Sequence, residues 1–225
     1  MMQRALLAEG LGTLLLLSVV VGSGIMGESL AGGNVAVALL ANAAATAGAL
    51  YVLITTLGPV SGAHFNPAVT LAMRWRGAIG TRAALAYMAV QIVGAVAGVL
   101  LAHAMFDLAL FQPGTRARSG GAQWLSEGVA TFGLLLTILL GLRHRASAIP
   151  ALVASYIFAA YWFTASTSFA NPAVTVARAL TQTFAGIRPD DVPGFIVAQL
   201  VGAALAVAVA TRLASSAPPV QEESA

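Results

Sequence analysis

The pentapeptide Asn66-Pro67-Ala68-Val69-Thr70 occurs a second time, letter for letter, as Asn171-Pro172-Ala173-Val174-Thr175. Each copy reads as a helix start. Asn is a favoured N-cap because its side-chain oxygen accepts a hydrogen bond from an early helical N–H. Pro suits the first helical position, where its missing N–H costs nothing. After Asn66 the apolar run lasts to about Met73 and is closed by Arg74, Trp75 and Arg76; after Asn171 a similar run ends near Thr183 or Ala185. A helix of about ten residues rises roughly 15 Å, half the hydrocarbon thickness of a bilayer. Such a helix cannot span. The segments leading into the two motifs are Ser61-Gly62-Ala63-His64-Phe65 and Ser166-Thr167-Ser168-Phe169-Ala170. Irregular backbone of this kind is tolerated at membrane depth only inside protein or beside a water-filled cavity.

The flanking sequence supplies the membrane. Residues of the AVILMFWYC set make up 59% of the 225-residue chain and charged residues 8%, against about 25% charged in soluble proteins. That excludes a soluble globular domain, which needs more polar surface, and a disordered chain. Six apolar stretches, at about 4–26, 36–56, 83–104, 125–142, 148–167 and 192–213, approach or exceed the roughly 20 residues a crossing requires. The first resembles a secretory signal, with Arg4 ahead of an apolar run. Glu9 interrupts it, however, and the same pattern recurs near residue 127, so it is read as a span.

Two further markers repeat in the same order as the motif. Glu9-Gly10-Leu11-Gly12-Thr13 returns as Glu127-Gly128-Val129-Ala130-Thr131, and Gln91-Ile92-Val93-Gly94-Ala95 as Gln199-Leu200-Val201-Gly202-Ala203. Residues 1–108 form one repeat and 123–213 the other, joined by a connecting loop at 109–122, with 214–225 expected as a disordered tail. Three spans per repeat is an odd number, so the second repeat is inverted relative to the first. The two half-helices then enter from opposite sides and meet at their Asn caps near the midplane. The expected fold is an all-α membrane protein of six transmembrane helices and two re-entrant half-helices.

All eleven basic residues are Arg. Placing both termini inside puts Arg4, Arg74, Arg76, Arg82, Arg143, Arg145 and Arg212 on the cytoplasmic side, and that bias favours an N-in, C-in topology in an inner (plasma) membrane. The net charge of +3 is loop charge. No basic cluster with interleaved aromatics points to nucleic acid, and lipid is the expected surroundings. No Cys is present, which removes disulfides and thiolate chemistry. No His/Asp/Glu group has metal-ligand spacing. No nucleophile stands beside a base, and there is no phosphate loop or G-x-S-x-G. Neither an enzyme nor a cofactor is expected. Gly12, Gly22, Gly94, Gly98, Gly128 and Gly202 fit close helix packing. His103 and His144 read as interfacial residues.

With the paired motifs, the Glu9 and Glu127 starts, Ser61–Phe65, Gln91 and Gln199 in view, the chain resembles the aquaporin and aquaglyceroporin (major intrinsic protein) family over about residues 4–213. The resemblance implies one pore per subunit, a homotetramer, and passive conduction of water and small uncharged solutes. Asn66, Pro67, Ala68, Asn171, Pro172 and Ala173 become the central pore motifs. Helix N-termini facing the midplane carry partial positive charge that disfavours cations and protons.

One position departs from the family pattern. An Arg usually follows the second motif and forms the outer filter with an aromatic residue; here that position is Val174, and Arg178 lies one helical turn beyond. Ungapped counting puts the other filter positions at Thr46, Ala159 and Ser168, a small-sided ring without fixed charge. This implies a wider, less cation-rejecting constriction, although Tyr161, Trp162 and Phe163 lie close enough to narrow it. Some bacterial members of the family with a similar Arg-free second motif are associated with arsenic-resistance gene sets, so the resemblance adds neutral metalloid hydroxides such as arsenite to glycerol-like polyols as expected cargo.

Charge inside a span is costly and faces protein. Glu9 and Glu127 thus read as proton relays or as acceptors for the re-entrant backbones, and the family implies the second, with Gln91 and Gln199 in support. His64 reads as a pH gate or as a fixed loop residue. Inverted repeats and broken helices also build ion-coupled secondary transporters, which leaves a transporter, or a non-conducting scaffold of the same fold, as the alternative to a channel.

Overall fold

A computed structural model describes residues 2–215 of the chain. Eight α-helices follow in order among the described residues: α1 (Met2–Leu30), α2 (Val35–Ser61), α3 (Pro67–Trp75), α4 (Thr81–Met105), α5 (Gly121–His144), α6 (Ile149–Phe163), α7 (Pro172–Arg178) and α8 (Val192–Ser215). Short 3₁₀ turns at Ala146–Ala148 and Pro189–Asp191 lead into α6 and α8. From residue 216 on, the expected tail lies outside the described residues. Six helices are long and apolar enough to cross a membrane, α6 only with its 3₁₀ turn, as the 18 residues Ala146–Phe163. The two short helices are the pair that start at the repeated motif.

Glycine sets the packing within each repeat. A Cβ at Gly94 on α4 would run into the Gly10 carbonyl oxygen on α1, and one at Gly202 on α8 would run into the Gly128 carbonyl oxygen on α5. These are the repeat-equivalent pairs, and in both the missing side chain lets one helix backbone approach the other closely. At Gly12, a Cβ would fall within the Phe65 ring. The first repeat thus closes on its own re-entrant segment, while α2 packs against α6 across the two halves.

With six spans, the start of α1 and the end of α8 lie on one face, here called the terminal face; the opposite face is the distal one. α3 runs from the centre toward the terminal face and α7 from the centre toward the distal face. α2 ends at Gly62, whose φ of 88° caps the helix in the left-handed region and passes its N–H to Gly58 O. The lead-ins that follow are contorted. Ala63 and Phe65 before α3, and Thr167, Ser168 and Ala170 before α7, all have positive φ without being glycine. Each such residue costs about 1–2 kcal/mol, so the surroundings must hold them in place.

Candidate functional site: a pore lined by both repeats

Asn66 caps α3 by accepting from Ala68 N–H at 2.8 Å, and Asn171 caps α7 by accepting from Ala173 N–H at 3.0 Å and Val174 N–H at 3.3 Å. The same two side chains also cross between the halves. Asn66 Nδ2 donates to Ala170 O at 2.7 Å, and Asn171 Nδ2 donates to Phe65 O at 2.8 Å. The two motifs are therefore clasped to each other at their starts, each amide holding the carbonyl that precedes the other motif. Pro67, Ala68, Pro172 and Ala173 are buried behind them.

The strained lead-ins are held by the two intramembrane carboxylates. Glu9 accepts from Ser61 Oγ (2.7 Å), His64 N–H (2.9 Å), Phe65 N–H (2.7 Å) and Gln91 Nε2 (2.8 Å). Glu127 accepts from Phe169 N–H (2.9 Å), Ala170 N–H (2.9 Å) and Gln199 Nε2 (2.6 Å). Both carboxylates are fully buried and carry the bonds of an acceptor for re-entrant backbone. The glutamines continue to the half-helices: Gln91 Nε2 reaches Thr70 Oγ1 at 3.0 Å and Gln199 Nε2 reaches Thr175 Oγ1 at 2.8 Å. Thr70 and Thr175 complete these networks. The pentapeptides alone assign them no such role, although their identical placement in both copies is the available signal. His64 bonds Thr70 Oγ1 through Nδ1 at 3.1 Å and meets Tyr87 edge-on at 5.4 Å, so the ring is fixed on two sides while it also lines the pore.

A cavity passes both asparagines. Toward the terminal face its walls are Met73, Leu142 and Ile149; toward the distal face they are Thr46, Tyr161, Ser168, Val174 and Arg178. Three of the four expected filter positions, Thr46, Ser168 and Val174, therefore line it. Ala159 does not. It is exposed on the outer side of α6, whose inward face is Val153, Ile157 and Tyr161 at every fourth residue. Helical periodicity is the reason: two residues before Tyr161 is about 200° around the helix axis. An aromatic ring thus stands where alanine was expected, and its hydroxyl lies 3.3 Å from Thr46 Oγ1. Trp162 and Phe163, the neighbours that could have served, are exposed.

Two further expectations are corrected here. The second apolar run predicts a half-helix to Thr183 or Ala185, but α7 ends at Arg178. The chain turns back there: Ile187 N–H bonds Arg178 O at 3.1 Å, Leu180 N–H bonds Ala177 O at 3.0 Å, and the Arg178 Nε donates to Ala185 O. This returning segment occupies the carbonyls a longer helix would have used. His103 is not interfacial but fully buried, bonded to Leu110 O at 2.7 Å and Thr181 Oγ1 at 2.8 Å, and it ties α4 to that same segment. His144 is exposed at the end of α5.

A sequence profile of the major intrinsic proteins matches residues 1–164. The chain belongs to the major intrinsic protein family. It is 55% identical over 217 residues to an aquaglyceroporin, AqpS, of Rhizobium meliloti (strain 1021), covering 96% of this chain and 93% of the relative. It is also 36% identical over 128 residues to a probable aquaporin, PIP2-8, of Arabidopsis thaliana, where it spans only 44% of the relative's length. Among solved structures, the aquaglyceroporin of Plasmodium falciparum superposes with a TM-score of 0.72 over 96% of each chain at 17% identity, a likeness of fold. This major intrinsic protein is accordingly a multi-pass membrane channel rather than an enzyme. Among the described residues no group of three or more His, Cys, Asp and Glu could hold a metal ion.

Proposed function

We propose that this channel passes water and small uncharged solutes, from glycerol-sized polyols to neutral metalloid hydroxides such as arsenite, and that Asn66 and Asn171 orient the passing oxygen at its centre. The observation that carries the reading is Val174 in the cavity wall, at the position where the family's second motif usually has Arg. The shorter side chain leaves the distal constriction to Thr46, Tyr161, Ser168 and Val174, wider than an Arg-gated one. The long walls are apolar: Leu16, Val20, Leu50, Ile54, Val69 and Ile138 all face the cavity. A neutral solute is held weakly along such walls and leaves quickly. At the centre, each Asn amide has two hydrogens and spends one on the opposite lead-in, which keeps one for a solute oxygen. Two helix N-termini converge there and disfavour cations. The assembly proposed is a homotetramer in the inner membrane with both termini cytoplasmic.

Stopped-flow light scattering on proteoliposomes tests the reading. Flux should be non-saturating, have a low activation energy and be independent of ion gradients. Flux that saturates, or that needs a proton or sodium gradient, would make the protein a transporter, and no flux would make it a scaffold. Val174→Arg should cut glycerol and arsenite flux by about tenfold or more, as expected where a small steric change decides passage, while water flux falls far less. Equal loss of all three would remove the open constriction from the proposal.

A further inference from the structure

Arg178 is 2% exposed and lines the distal end of the cavity, and no carboxylate among the described residues is ion-paired with it. Its described hydrogen bond is Nε to Ala185 O, and its guanidinium lies flat against Phe169, with Cζ 3.4 Å from the ring centroid. A second guanidinium stands behind. Arg118, from the connector between α4 and α5, is 7% exposed and sits with Cζ 5.0 Å from the same ring. It is held by Gly186 O at 2.9 Å and Ser166 O at 3.0 Å. Two buried carboxylates neighbour the pair, both already engaged: Glu127 with backbone N–H groups and Gln199, and Asp191 with the Arg118 backbone N–H at 2.7 Å and the Arg188 guanidinium.

Residues 174 and 178 are four apart on one helix and share a face. Long side chains on a helix lean back over the preceding turn, so the Arg178 side chain covers the turn that carries Val174. Val174 is small enough to leave that space open. Beside them Ser168 Oγ, 4% exposed and also in the cavity wall, has no hydrogen-bond partner. A buried hydroxyl without a partner in a cavity wall needs an acceptor or donor from whatever passes.

We propose that Arg178 is the specificity-determining cation of this pore: reaching back over Val174, it supplies with Ser168 Oγ the polar side of the distal constriction, donating to hydroxylated neutral solutes and repelling cations. Arg118 is a positioning residue that backs the Phe169 platform and adds to the positive field. The constriction is thus widened without giving up its charge. The inference rests on the channel reading and goes beyond it: a channel could conduct solutes with no role for Arg178.

The test pairs solute flux with cation leak in proteoliposomes. Parent protein and Arg178→Lys should be tight to potassium. Arg178→Met should raise potassium leak about tenfold or more, a modest share of what one charge at close range can contribute, and should lower glycerol flux relative to water flux. Arg178→Met as tight as the parent, with glycerol flux retained, would overturn the proposal; absence of solute flux in the parent would instead overturn the channel reading. A second measurement leaves Arg178 untouched. The chain has no cysteine, so Val174→Cys offers a single thiol in the wall. An anionic methanethiosulfonate should modify it faster than a cationic one, each rate normalised to a free thiol in solution. Equal normalised rates, or a preference for the cationic reagent, would overturn the proposal.

Discussion

Glu127 illustrates how much one buried side chain can carry. Phe169 N–H, Ala170 N–H and Gln199 Nε2 all end on it, and the two backbone donors flank residues in a strained lead-in. Replacing it by Leu orphans three buried donors at about 1–3 kcal/mol each. Glu127→Leu should therefore lower thermal stability in detergent severely, and Glu9→Leu should do the same through Ser61, His64, Phe65 and Gln91. Unchanged melting of either variant would show that the lead-ins are held by something else. At this scale the sequence was readable where a residue's role is local. Asn as a cap, Pro at the first helical position and Glu inside an apolar run each declare themselves. It was unreadable where the role depends on the angle around a helix. Ala159 and Tyr161 are two positions apart, and only the seating of α6 decides which one meets the cavity. Arg178 was visible but had no assignable direction until its place in the cavity wall and its stacking on Phe169 were known.

Among the elements, the α1–α4 and α5–α8 pairs repeat one device, glycine against a glycine carbonyl. Gly94→Leu and Gly202→Leu should each force the backbones apart, where no neighbour can yield. Both should reduce folded yield and melting temperature, by similar amounts because the sites are repeat-equivalent. A severe effect at one site with none at the other, measured by size-exclusion profile and thermal shift, would mean that the two halves are not packed alike. The spans themselves were legible, because hydropathy marks a membrane helix over its whole length, but their ends were less so: the second runs to Ser61 rather than 56, and the fifth stops at Phe163 rather than 167. The end of α7 was not legible, because apolar residues continue past Arg178 and only the returning segment at Ala185–Ile187 stops the helix. Nor was the burial of His103, whose partners Leu110 and Thr181 lie seven and 78 residues away in sequence.

For the whole molecule, inversion of the repeats follows from arithmetic on three spans per half, and the geometry of α3 and α7 agrees with it. Which face is cytoplasmic is a separate matter, resting on arginine placement. In the Cys-free chain, Ala146→Cys on the terminal face and Leu110→Cys on the distal face are both exposed positions. A membrane-impermeant maleimide added to intact cells should label the second and spare the first until the membrane is opened. Labelling in the reverse order would turn the topology over.

The clasp between Asn66 and Ala170 O, and between Asn171 and Phe65 O, has one more effect. With one hydrogen of each amide tethered and the carbonyl oxygen engaged in capping, neither side chain is at liberty to swivel, so the vacant hydrogen keeps its bearing between visitors. A molecule shedding its hydration shell at the waist of the protein meets donors already aimed, and little time or freedom is lost in arranging them.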